Sequence, residues 1–127
     1  CKSYQKIKSV VDAEGKGVYQ GKIYVKDIAQ KTNAYQLSKA LLLSENSEFN
    51  SKPELEIYAD DVKCSHGSTS GSVDENSIHY LMTRGLSKKQ AVQLLVNGFL
   101  NEIIGDIKSN SVRKLIENKI EIQIHGY

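Results

Sequence analysis

The chain has 127 residues, 39% hydrophobic and 25% charged, with 17 basic against 15 acidic side chains and a formal net charge of +2. This is one domain's worth of chain with enough apolar side chains for a core, which excludes a disordered segment, and its interspersed charges form no basic stripe for nucleic acid. Apolar runs are only a few residues long, as at Leu41–Leu43 and Leu94–Val96, so no membrane span is expected, and two cysteines are too few for a disulfide framework, which makes the cytoplasm the expected compartment.

Residues 1–72 read as short strands and turns. Ser9 to Gly17 places Val10-Val11 before a Gly-punctuated turn, and Val18 to Val25 resumes with Gly21 in its middle, which predicts a bend or bulge. Between Asn33 and Leu43, the residues Gln36, Leu37, Lys39, Ala40 and Leu41 to Leu43 favour a helix on local propensity. Leu55, Ile57 and Ala59 alternate with Glu54, Glu56 and Tyr58, the pattern of a half-buried strand, and Asp60-Asp61 ends it at a corner. Gly67 to Ser72 is Gly/Ser-rich and reads as a connector.

From residue 73 the pattern turns helical. Asp74 is a candidate N-cap for a helix from Glu75 to Arg84, with Gly85 stopping it. Ser87 with Gln90 forms a capping box opening a longer helix to about Lys108. Its apolar set follows two lines, Ala91-Leu95-Phe99 and Val92-Val96-Leu100-Ile104-Ile107, which is wider than one core-facing stripe and leaves open either a deeply packed helix or an additional docking face. Residues 111–118 predict a third short helix, and Ile120, Ile122 and Ile124 alternate with Glu121, Gln123 and His125 as in a strand.

Chemistry concentrates in Ala59-Asp60-Asp61-Val62-Lys63-Cys64-Ser65-His66-Gly67. In extended chain, Val62, Cys64 and His66 share one face, so a thiol and an imidazole can reach a common ion. A closed metal site wants four ligands, and only Cys1, His79 and His125 remain as sulfur or imidazole donors, none at a ligand-like spacing. Either another chain completes the site, or Cys64 packs as a small hydrophobe and His66 is satisfied by nearby backbone. There is no Gly-x-x-x-x-Gly-Lys-Ser loop, no Gly-x-Ser-x-Gly elbow and no His-Glu-x-x-His pair, so an enzyme is not expected.

The same nine residues resemble the signature of the SufB/SufD family of iron–sulfur cluster assembly proteins. The flanks are similar too: Pro53 to Tyr58 before it, Asp74-Glu75, Tyr80-Leu81 and Arg84-Gly85-Leu86 after it, and Gly17 to Ile23, Ala29 to Thr32 and Leu41 to Ser44 upstream, covering about residues 15–107. Val96-Asn97-Gly98-Phe99 looks like the SufB branch, but the Cys-Ser-His-Gly run favours the SufD branch, because SufB-like chains carry a Glu-His-Glu-Ala type run there.

The resemblance implies a mainly β fold with a helical C-terminal segment: the last rungs of a right-handed parallel β-helix over 1–72, and a helical segment with its tail over 73–127. It overrides the helical propensity of Asn33 to Leu43, with Asn33 as corner and Leu41–Leu43 as inward-facing stack. It implies a scaffold of the SufBCD complex that pairs with SufB around a transient, shared iron–sulfur cluster, with His66 as a ligand, Cys64 as a weaker one, and Asp60, Asp61 and Lys63 setting their register. The ATPase SufC would dock on the C-terminal helices, through Leu95, Val96, Phe99 and Ile103. His79 departs from the aromatic that the family usually has before Tyr80. A start at Cys1 is expected to mark a fragment of a longer protein, holding no cofactor by itself and prone to homodimerise through its open rung. The alternative is a stand-alone interaction or structural domain with no metal role.

Overall fold

Among the described residues, consecutive strands never pair with each other. The computed structural model describes residues 1–125, with side chains up to Ile124. Five strands of ten residues come first: β1 (Lys2–Val11), β2 (Lys16–Val25), β3 (Asn33–Leu42), β4 (Glu48–Ile57) and β5 (Lys63–Ser72). They alternate between a three-stranded sheet of order β1-β3-β5 and a two-stranded sheet β2-β4, and every pairing is parallel. The protein is thus mainly β with three C-terminal helices, and neither sheet is closed. The chain divides into two compact units, Cys1–Ser72 and the segment from Val73 on.

In the first unit the buried faces of the two sheets supply one core. Ile23 and Val25 from β2, Ala34 from β3 and Ala59 after β4 form it, with Ala29, Val62 and Cys64 packed against it. Burial alternates with period two along β3, placing Ala34, Gln36, Ser38 and Ala40 inside, as the pleat requires. Leu42 therefore lies on the inward face and Leu41 on the opposite one, which corrects the expectation that Leu41–Leu43 all stack inward. Local helical propensity here is worth only tenths of a kcal/mol per residue. Pairing with β1 on one edge and β5 on the other satisfies the backbone of β3 along both sides, and the strand wins.

Two further sequence expectations change. Gly21 makes no bulge: β2 pairs with β4 without interruption from Lys16↔Glu48 to Val25↔Ile57. The residue is small for another reason, since a Cβ there would collide with the Tyr19 hydroxyl and the Gln36 amide nitrogen. Gly67 to Ser72 is not a connector but most of β5, in register from Leu37↔Gly67 to Leu42↔Ser72. Poor strand formers are tolerated because β3 supplies a complete ladder, and at Gly67 the Tyr35 hydroxyl and Leu37 Cδ1 come so near that a Cβ would lie 3.4 Å from each.

The corners are hydrogen-bonded rather than loose. Thr32 and Ser47 are buried, their hydroxyls donating to the carbonyls of Ala29 and Ser44, at 2.8 and 2.7 Å. Asp61 is pinned from both sides, its carbonyl accepting from the Lys31 amide at 2.6 Å and its amide donating to Gln30 Oε1 at 3.0 Å.

In the second unit, α1 (Glu75–Thr83), α2 (Lys88–Ile104) and α3 (Asn110–His125) follow. Asp74 accepts from the amides of Asn76 and Ser77, and Gly85, at φ 98°, closes α1. The Leu86 amide donates to the Leu81 carbonyl and the Gly85 amide to Met82, the paired bonds of a left-handed helix stop. The Ser87–Gln90 capping box opens α2. That helix ends at Ile104 rather than Lys108, because Asp106 and Ile107 bond three residues back, to Ile103 and Ile104, and tighten the last turn.

The tail is a correction too. Residues 120–125 are the end of α3, not a strand. Arg113, Ile116, Ile120 and Ile124 are the partly buried positions of this helix, spaced by three or four, whereas Ile122 is 73% exposed. The apparent alternation was a helical stripe with one isoleucine on the solvent side. Gln93 on α2 donates to the Ile124 carbonyl at 3.3 Å, and the Arg113 guanidinium donates to the Ile107 carbonyl ahead of α3. No helix among the described residues is long and apolar enough to cross a membrane.

Candidate functional site

The corner at Asp61 delivers the chain into β5 with Cys64 opposite Ala34 and His66 opposite Gln36. Both therefore project from the buried face of the sheet, about 7 Å apart along the strand. Their environments differ because β5 is an outer strand. Cys64 is half-buried against the core of Ile23, Val25, Ala34 and Ala59, a free thiol, while His66 one step on is exposed. Asp60, Asp61, Lys63 and Ser65 are exposed as well. Among the described residues no three His, Cys, Asp or Glu side chains come together to hold a metal ion. A thiol and an imidazole form a donor pair that suits iron or zinc, and two protein ligands leave a tetrahedral centre half complete.

Beneath His66, Gln36 is a residue that sequence reasoning missed. Its side chain is 1% exposed and donates from Nε2 to Gln5 Oε1 at 2.9 Å. Its own Oε1 is buried without a hydrogen-bond partner, as are the hydroxyls of Ser38 and Ser51. Nothing in a linear reading flags Gln36, because its place under His66 exists only once the β3–β5 register is known.

A second missed cluster lies on the exposed side of β2 and β4. Lys22 Nζ sits 2.8 Å from Glu56 and 3.7 Å from Glu54, and the Tyr58 hydroxyl donates to Glu56 at 2.7 Å. Tyr24 meets Tyr58 edge to face, with ring centroids 5.7 Å apart. The hydrogen bond from Lys22, reinforced by that from Tyr58, holds the Glu56 carboxyl below its usual range, and bonding to Glu56 raises both Lys22 and Tyr58. All three groups face water, so the cluster holds two strands in register rather than storing much energy.

In the helical unit, Leu95 lines a groove with Tyr80, Leu81, Asp74, Asn76 and Ser77. Phe99 and Ile103 are half-buried, Val96 is 3% exposed, and Leu94 is exposed. His79 is exposed on α1.

Residues 1–99 match the model of the SUF system FeS cluster assembly family, SufBD core domain, which takes in both sheets, α1 and most of α2. The chain belongs to the SufBD family. It is 36% identical to the iron–sulfur cluster assembly protein SufD of Escherichia coli over 126 residues, 99% of this chain and 30% of that protein. It is 42% identical to a SufBD family protein of Synechocystis over 106 residues, 84% of this chain and 23% of that protein. With SufD of Bacillus subtilis it shares 32% over 115 residues, 91% of this chain and 26% of that protein. The chain thus spans between about a quarter and a third of the length of these relatives.

Proposed function

We propose that this chain is the end of a right-handed parallel β-helix that serves as a scaffold in a SufBCD complex in the cytoplasm, where His66 helps to hold an iron–sulfur cluster as it is assembled. The β-helix reading is supported by strands that alternate between two parallel sheets while each pairs with the strand two places on. The exposure of His66 on the outer strand carries the ligand reading. An imidazole on an open edge can bind an iron whose remaining donors come from another polypeptide, here SufB, and a mixed sulfur and imidazole shell has chemical precedent. The cluster is cargo rather than a resident cofactor, and this chain catalyses no bond-making step of its own. Cys64 is the weaker ligand, since its half-buried place against Ile23, Val25 and Ala34 equally suits a packing role. That same packing favours the second reading for Cys64, a purely structural one.

SufC is the proposed source of ATP hydrolysis, docking on α2 through Leu95, Phe99 and Ile103, with the exposed Leu94 beside them. Val96, being buried, would support that face from behind. The test of the cluster role is anaerobic reconstitution with iron and sulfide in the presence of SufB and SufC. His66→Ala is expected to lose most of the cluster while keeping its circular dichroism, and equal cluster content in both proteins would refute the ligand role.

A further inference from the structure

Gln5, Gln36 and His66 occupy equivalent positions on β1, β3 and β5: Gln5 pairs with Gln36, and Gln36 with His66. Side chains at paired positions of parallel strands stack at the strand spacing, about 4.8 Å, which is the geometry of an amide ladder. In such a ladder each amide donates to the neighbour on one side and accepts from the neighbour on the other. Gln36 has made the first half of that pattern, donating to Gln5 at 2.9 Å. The second half is open, because Oε1 is buried and unpartnered in a side chain only 1% exposed. The neighbour on that side is His66. A buried amide oxygen without a donor is costly and calls for a partner.

We infer that Gln36 is the positioning residue of His66, its Oε1 accepting a hydrogen bond from one ring N–H so that the other ring nitrogen is left unprotonated and directed away from the sheet. A histidine that binds a metal needs one nitrogen free and the ring held in one tautomer, and the group that accepts from the other nitrogen does both. Gln5 in turn holds the Gln36 amide in the orientation that turns its oxygen toward β5. Gly21 completes the arrangement, since any side chain there would displace the Gln36 amide. The role of this column in cluster binding rests on the ligand reading of His66; the hydrogen bond itself does not.

The test is nitrogen NMR of the intact protein labelled with 15N-histidine, with His66→Ala to assign the ring. In the wild type the two ring nitrogens of neutral His66 are expected far apart, one protonated and one bare, as in a single tautomer. In Gln36→Met, which keeps the volume but removes the amide oxygen, they are expected to converge as the two tautomers exchange, and cluster content in reconstitution is expected to fall several-fold. Averaged ring nitrogens in the wild type overturn the inference without any variant at position 36. So does an unchanged ring in folded Gln36→Met, which would mean that a group other than Gln36 fixes the tautomer. A converged ring in Gln36→Met together with full cluster in His66→Ala overturns the ligand role instead and leaves the hydrogen bond standing.

Discussion

Asp74 shows how one side chain makes a helix start depend on pH. Its carboxylate accepts from the Ser77 hydroxyl and from the amides of Asn76 and Ser77. The Ser77 hydroxyl foremost, with both amides behind it, holds the carboxyl below its ordinary value of 3.8. A carboxyl that is more acidic when folded binds protons more readily when unfolded, so its stabilising effect is present above pH 3.8 and is lost as pH falls through the lower folded value. The protection of the Asn76 and Ser77 amides, as exchange slowed relative to an unstructured chain at the same pH, is therefore expected to fall on acidification in the wild type. In Asp74→Asn, which keeps a capping oxygen without the charge, that loss of protection should vanish; if it persists, another group controls the start of α1.

At the scale of elements, α3 and α2 make separable predictions. The isoleucines of α3 divide by face, with Ile116 and Ile120 partly buried and Ile122 73% exposed. Ile122→Lys is expected to change stability by no more than about 0.5 kcal/mol, while Ile116→Lys is expected to cost more than about 1 kcal/mol, measured by denaturant unfolding. A strand would have put Ile120 and Ile122 on one side and made them equally sensitive. On α2, Leu95→Glu is expected to weaken association with SufC at least tenfold with the helix content intact, and unchanged binding would move that interface elsewhere. The exposed Leu94 beside it provides the comparison, since a change confined to Leu94 would rotate the docking face by about a quarter turn.

For the whole molecule, the decisive feature is that the two sheets of the first unit are not closed. Leu55 and Ile57 alternate as core residues should, yet remain 36% and 38% exposed. On β2 their paired partners, Ile23 and Val25, are buried. Among the described residues, β1 and β5 are the outer strands of the three-stranded sheet. Apolar side chains beside the outer strands of an open sheet are an invitation to pair. The 127-residue chain by itself is expected to self-associate, with a sedimentation coefficient that rises with concentration, and a monomer throughout the micromolar range would show that these edges are self-sufficient.

The sequence by itself determined what short-range chemistry determines: the caps at Asp74 and Ser87, the stop at Gly85, the corner at Asp60-Asp61, and the shared face of Cys64 and His66. Each of these depends on residues within a few positions of one another, so one-dimensional spacing is enough to read them. The motif around His66 also carried the family. Tertiary structure decided what pairing between distant segments decides. It made a strand of helix-prone β3 and of Gly/Ser-rich β5, kept β2 straight through Gly21, extended α3 over the alternating isoleucines, and set Gln36 beneath His66. In these parallel sheets the partner of each residue lies roughly thirty positions away along the chain, and a weak local preference yields to a ladder of hydrogen bonds that no local window contains.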